Sequence, residues 1–132
     1  PLSRATTISG NKAFEMAGVK HSDFDHIMLY DAFTSGPPIM MESLGFCEPG
    51  EGVRFFDEGR SDPGGSLPIN TNGGGLSYTH SGMYGLFPII EAVRQQRGEC
   101  GDRQVPGVKC SLVNGMGGML SAAGTIVLSH ET

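Results

Sequence analysis

The sequence predicts a layered α/β fold: a mixed sheet with helices packed on both faces. Three observations carry this. Helical patterns alternate with short apolar runs along the chain. The 132 residues suffice for one domain around a single core. Two closing apolar runs lie near enough in sequence to pair antiparallel. The segments number about four strands.

The first helix spans Ser3 to Ala17, with Ala13, Met16 and Ala17 on one side. Gly10 weakens its middle, and Gly18 suits the position just past its end. His26-Ile27-Met28-Leu29-Tyr30 is a short apolar run of the kind that forms a buried strand. Pro37 and Pro38 then suit the first turn of a second helix, which stops at Gly45. From Phe46 to Pro68 the chain reads mostly as loop, with Val53-Arg54-Phe55-Phe56 a candidate short strand. A third helix starts near Ser81 and ends near Arg97, burying Met83, Phe87, Ile90 and Val93. It is expected to be the most buried of the three, and to bend at Pro88, whose ring removes the bond to the Tyr84 carbonyl. Val108 to Val113 and Ala123 to Leu128 are the last two strands, separated by Asn114-Gly115-Met116-Gly117-Gly118.

Nine basic and fourteen acidic residues leave a net charge of -5. No basic run marks a nucleic-acid or anionic membrane footprint. No apolar stretch approaches the ~20 residues that span a bilayer. The start carries no signal-peptide pattern, so cytoplasm is the expected compartment. Cys47, Cys100 and Cys110 have neither metal-type spacing nor a disulfide framework. They read as buried thiols, and no metal is expected. The 21 glycines are about twice the usual ~7% share and cluster in three places, where backbone geometry matters.

The richest of those places runs from Asn70 through Gly73-Gly74-Gly75 to His80 and Gly82. Glycines let backbone approach a ligand or another chain segment closely. His80 stands where the third helical pattern begins, and a helix N-terminus disfavours the imidazolium, which suits a general base. Tyr30-Asp31 lies at the end of one strand and Asn114-Gly115 at the end of another. Ligands gather where strand ends and helix starts converge. Tyr30 would supply a donor, Asp31 an acid or orienter, His80 a base, and Asn114 an amide donor beside Gly115 and Gly117. The competing reading is structural: Asp31 caps the second helix, Tyr30 packs in the core, and Asn114 makes a turn.

Three motifs carry a resemblance to thiolases. The tract Asn72-Gly73-Gly74-Gly75-Leu76-Ser77-Tyr78-Thr79-His80-Ser81-Gly82 is similar to the thiolase segment ending in Gly-His-Pro. Tyr30-Asp31-Ala32-Phe33 falls where thiolases carry Asn-Glu-Ala-Phe and the sterol-carrier type carries His-Asp-Cys-Phe. Asn114-Gly115-Met116-Gly117-Gly118 resembles the closing Cys-x-Gly-Gly-Gly loop in its lipid-transfer form. The likeness covers nearly the whole chain. It implies that residues 1–132 are the C-terminal half of a thiolase-like acetyl-CoA acetyltransferase of sterol-carrier type. The N-terminal half, which bears the nucleophilic cysteine, is then absent, and so is that half's apolar cover. Self-association, as a homo-oligomer, or a partner protein is therefore expected.

The resemblance further implies that the histidine matching His80 activates that cysteine and binds the thioester oxygen. The substrate is a coenzyme A thioester, with no tightly bound cofactor. Three departures bear on the chemistry. Thr79 and Ser81 replace the glycine and proline beside the histidine, and no cysteine stands at Val113 or Asn114. Ala32 replaces the sterol-carrier cysteine, and Tyr30 starts that motif. The second proton-transfer group of a Claisen condensation is missing, which removes a roughly 10²–10⁴-fold contribution. Some thiolase-like proteins paired with an OB-fold partner cleave β-hydroxyacyl-CoA side chains by a retro-aldol reaction, and this sequence resembles them more closely than biosynthetic thiolases. The alternative is a non-catalytic module that binds acyl-CoA or lipid, or docks a partner. A nucleotide phosphate loop is disfavoured, because neither glycine cluster fits G-x-G-x-x-G or the lysine-bearing P-loop.

Overall fold

The computed structural model describes residues 2–80, 82 and 84–130. It is a mixed α/β unit with helices on both faces of a three-stranded sheet. In chain order the elements are α1 (Arg4–Ala17), β1 (His26–Leu29), α2 (Gly36–Ser43), α3 (Gly52–Asp57), α4 (Gly75–Tyr78), α5 (Leu86–Gln96), β2 (Cys110–Gly117) and β3 (Ala122–Ser129). β1 runs parallel to central β2, with Ile27 opposite Leu112, and β2 runs antiparallel to β3. Side chains alternate across a sheet, so the strands feed two cores. Ile27, Leu29 and Leu112 pack with Phe14, Met40, Met41 and Leu44 beneath α1 and α2. Met28 and Val113 face the other way, against Ala92 of α5.

Four expectations need correction. Among the described residues the sheet has three strands, not four. Outside the three strands, Ile69 makes an isolated bridge to Ile27. Asn70 then turns the chain at φ 52, and its side-chain oxygen, not a strand, accepts from Leu29 N at 2.7 Å. Val53 to Phe56 is helical: Val53 is 68% exposed and Phe55 only 2%, whereas strand alternation would put both on one face. In α1 the buried residues are Thr6, Gly10 and Phe14, four apart, and Met16 faces solvent. Gly10 lies where α1 crosses α2: a Cβ there would come within 2.5 Å of Leu44 Cδ2.

The fourth correction concerns α5, which begins at Leu86 and buries Pro88, Glu91, Ala92 and Gln95. Phe87 and Ile90 are 39% and 50% exposed, and Val93 is half-buried. Ser81 and Met83 lie outside the described residues. Pro88 is therefore in the first turn, where its missing N–H has no intrahelical partner to lose, so the cause expected for a bend is removed. α5 is not the most buried helix by its apolar residues; it buries two polar side chains for reasons given below.

The end of α1 was legible. Ser3 caps it through Thr6 N, and Gly18 closes it at φ 66 with its N–H reaching back to the last turn. No atom lies within 4 Å of a Cβ built on Gly18. Gly18→Ala is thus expected to cost about 1 kcal/mol, from the left-handed backbone alone. A shift of the urea midpoint checks this; an unchanged or raised midpoint would contradict it.

Candidate functional site

Tyr30 leaves the end of β1, where its N–H donates to the Asn114 carbonyl at 3.0 Å. Its ring stands edge-on to His80, with centroids 6.1 Å apart at 86°. Phe33 meets His80 at the same separation, and Tyr84 backs Tyr30 at 5.1 Å. Tyr30, Phe33, His80, Met116, Gly117 and Met119 are among the residues lining a cavity of about 320 Å³. Its walls are largely apolar, so a charge developing there feels its neighbours more strongly than in water.

The segment leading to His80 is gripped by Asp31. Its buried carboxylate accepts from Gly75 N at 2.7 Å and Leu76 N at 3.3 Å. Gly74, at φ 72, lies against that carboxylate, and a Cβ there would collide with Asp31 Oδ2. Glycine is required on both counts. Asp31 therefore caps α4, the short helix before His80, and not α2. His80 lies outside regular helix, six residues before α5 begins. The helix-terminus argument for its neutral form does not apply. It is exposed, beside the half-buried Tyr30.

A second anchor escaped the sequence reading. Thr71, at the root of the same segment, donates to Glu91 Oε1 at 2.8 Å. Its single proton is then used, so it accepts from His26 Nε2 at 3.0 Å. His26 Nδ1 is left to accept from the Ser111 hydroxyl at 3.2 Å. His26 is fully buried, and burial lowers its pKa to about 4, against the opposing pull of Glu91. Burial alone would raise the Glu91 carboxyl. Hydrogen bonds from Arg103, Thr71 and Gln95 outweigh it and hold that pKa below the usual value. Arg103 reaches Glu91 through Nε at 3.1 Å and Nη2 at 3.1 Å.

The structure thus brings Tyr30, His80 and Gly117 to one cavity and turns Asp31 toward the backbone. Asn114 and Gly115 are not among the described lining residues, and they sit within β2, not in a loop. Fully buried Asn114 ties β2 to β3 by donating to Thr125 Oγ1 at 2.8 Å. The hairpin turns one step later, with Met119 and Leu120 at φ 54 and 73. Gly118, also left-handed at φ 54, was the turn signal in the sequence, whereas Met119 and Leu120 take positions that ordinarily hold Asn or Gly. Both residues nevertheless line the cavity. Thr71 and Glu91 left one readable trace, an acidic and an amide residue (Glu91, Gln95) four apart on the face shared by Pro88 and Ala92.

A larger groove of about 890 Å³ lies beyond Ser35 and Ile39, lined by Pro37, Val53, Phe56 and Leu76 among others. Its described lining includes the carboxylates of Asp31 and Glu42 but no histidine or tyrosine; the Tyr30–His80 pair lines the smaller cavity. Among the described residues no group of three or more His, Cys, Asp or Glu could hold a metal. The three thiols are held protonated, chiefly by burial, and none is among the cavity's described lining. No helix among the described residues is long and apolar enough to cross a membrane.

Comparison with known proteins agrees with this architecture. An acetyl-CoA acetyltransferase of Methanothermobacter thermautotrophicus is 35% identical over 127 residues, 96% of this chain and 33% of that protein. Human sterol carrier protein 2 is 38% identical over 110 residues, 83% of this chain and 20% of that protein. Among solved structures, an Ltp2-ChsH2(DUF35) aldolase superposes with a TM-score of 0.82 at 34% identity, over 94% of this chain and 31% of that one. The chain spans a third or less of the length of these relatives. A model of the family described as Thiolase C-terminal domain-like matches residues 1–130, and the chain belongs to that family.

Proposed function

We propose that the complete protein to which these residues belong makes or breaks a carbon–carbon bond in a coenzyme A thioester, and that retro-aldol cleavage of a β-hydroxyacyl-CoA is its reaction. The observation that carries this is the pairing of Tyr30 with His80, rings 6.1 Å apart, over a cavity whose described lining includes no thiol. In the cleavage direction the β-hydroxyl loses its proton and the Cα–Cβ bond breaks. The electron pair passes to Cα and the thioester oxygen as an enolate, and Cβ leaves as a carbonyl. One proton leaves the β-oxygen and one reaches Cα, so the step needs no co-reactant. The Tyr30 hydroxyl handles the β-oxygen. His80 donates to the thioester oxygen and takes part in returning the proton to Cα.

The similarity to an aldolase supports this reading. The similarity to an acetyl-CoA acetyltransferase supports a second one, thioester transfer with a cysteine supplied by the rest of the protein. Free coenzyme A separates them. Cleavage of a β-hydroxyacyl-CoA without added coenzyme A is the expected result. Strict dependence on free coenzyme A with a 3-ketoacyl-CoA would establish transfer, and no turnover of either would leave a binding module.

A partner of the DUF35 kind, as in the aldolase named above, belongs to the same proposal. Leu76, Tyr78, Leu86, Phe87 and Ile90 are each 39% to 55% exposed, and Tyr78 touches Phe87 at 6.0 Å between centroids. An apolar patch of this kind marks an interaction surface. The 132-residue chain is expected to self-associate on size exclusion with light scattering, whereas a monomer at all concentrations would contradict this.

A further inference from the structure

We infer that Asp31 is a positioning residue: its carboxylate grips the Gly75 and Leu76 amides and so sets where His80 stands relative to Tyr30. The inference rests on the proposed role of the Tyr30–His80 pair and adds the group that fixes their geometry.

Asp31 follows Tyr30 directly, so one peptide unit joins the cavity tyrosine to the clamp. The carboxylate is 4% exposed and accepts from Gly75 N at 2.7 Å and from Leu76 N at 3.3 Å. Charge-assisted bonds of this kind are about twice as strong as neutral ones. No described arginine or lysine forms a salt bridge with Asp31, so the backbone amides are its compensation. A side chain at Gly75 would press on Asp31 Oδ1 at 3.1 Å and on the Tyr84 ring at 3.3 Å. Tyr84 in turn backs Tyr30 at 5.1 Å. Its hydroxyl is buried, and burial first, then the Asp31 charge, raises its pKa. The amides Asp31 holds lie five and four residues before His80. At the far end Thr71 is tied to Glu91 and His26. The segment is thus fastened at its root and again beside Tyr30, and Asp31 makes the second fastening.

The test uses the complete protein and the nearly isosteric Asp31→Asn, with Gly74→Ala as a second variant that pushes a Cβ into the same carboxylate without removing its charge. Hydrogen exchange of the peptide carrying Gly75 and Leu76 is expected to speed up at least about tenfold in both. Loss of an amide's partner lowers the cost of local opening by the order of one hydrogen bond. The ring resonances of selectively labelled His80 are expected to shift, since Tyr30 and Phe33 stand edge-on to it. On activity, Asp31→Asn is expected to lower kcat by about tenfold or more in the wild-type background and to change nothing further in His80→Ala. Equal losses in both backgrounds would show that Asp31 acts independently of His80 and would overturn the inference. Unchanged exchange and an unmoved His80 resonance would overturn it as well. If His80→Ala itself leaves turnover intact, the proposed reaction fails. The positioning claim is then decided by the exchange and the resonance alone.

Discussion

Tyr30→Phe in the complete protein is expected to lower kcat/KM for β-hydroxyacyl-CoA cleavage by about three orders of magnitude, within the range that general acid–base groups contribute. The substitution removes one oxygen and keeps the ring that packs against Tyr84 and His80. A loss of that size therefore reports chemistry, not folding. His80→Ala is expected to cost less, about two orders of magnitude, because in a retro-aldol cleavage the first proton to move is that of the β-hydroxyl, and the Tyr30 oxygen is the group proposed to receive it. His80 is exposed, so its removal spares the core as well. If thioester transfer is the reaction, the ranking reverses, since the histidine then serves the nucleophile. Negligible effects of both substitutions would exclude chemistry at this cavity.

The second large effect is on stability against pH. His26 is fully buried and neutral, and its pKa is lowered from 6.5 to about 4. Between those values the unfolded chain binds a proton that the folded one refuses. Stability from this residue is complete above about pH 6.5 and is lost as pH falls toward 4, by roughly 3 kcal/mol in all. Glu91, itself fastened by Arg103, faces the same Thr71 hydroxyl and opposes the loss in part. Denaturant midpoints measured across this window are expected to fall with falling pH, and His26→Gln is expected to flatten the slope. A slope unchanged in His26→Gln would place the titrating group elsewhere.

Much of the fold could be read from the residues, because the sequence states local rules that the tertiary structure obeys. The Gly18 cap of α1 and the Pro37-Pro38 start of α2 are of that kind. What failed were inferences that assume every buried face is apolar. In α5 the apolar spacing selected Phe87 and Ile90, which are well exposed, while Glu91 and Gln95 turn inward. That inward face is polar because Thr71, His26 and Arg103 meet there, and nothing in local periodicity announces partners 12 to 65 residues distant. The same limit applied to the site. Tyr30 and His80, which residue type and motif single out, line one cavity. The role of Asp31 depended on two backbone amides more than forty positions away. Asn114 looked like a loop residue because glycines follow it, yet β2 continues through them to Gly117.

The central claim is that one substrate meets Tyr30 and His80 in the same cavity. A structure of the complete protein with a non-cleavable β-hydroxyacyl-CoA analogue tests it most directly. The account predicts the thioester oxygen within hydrogen-bond reach of a His80 ring nitrogen and the β-oxygen within reach of the Tyr30 hydroxyl. An acyl group seated in the larger groove beyond Ser35 and Ile39, touching neither ring, would contradict it.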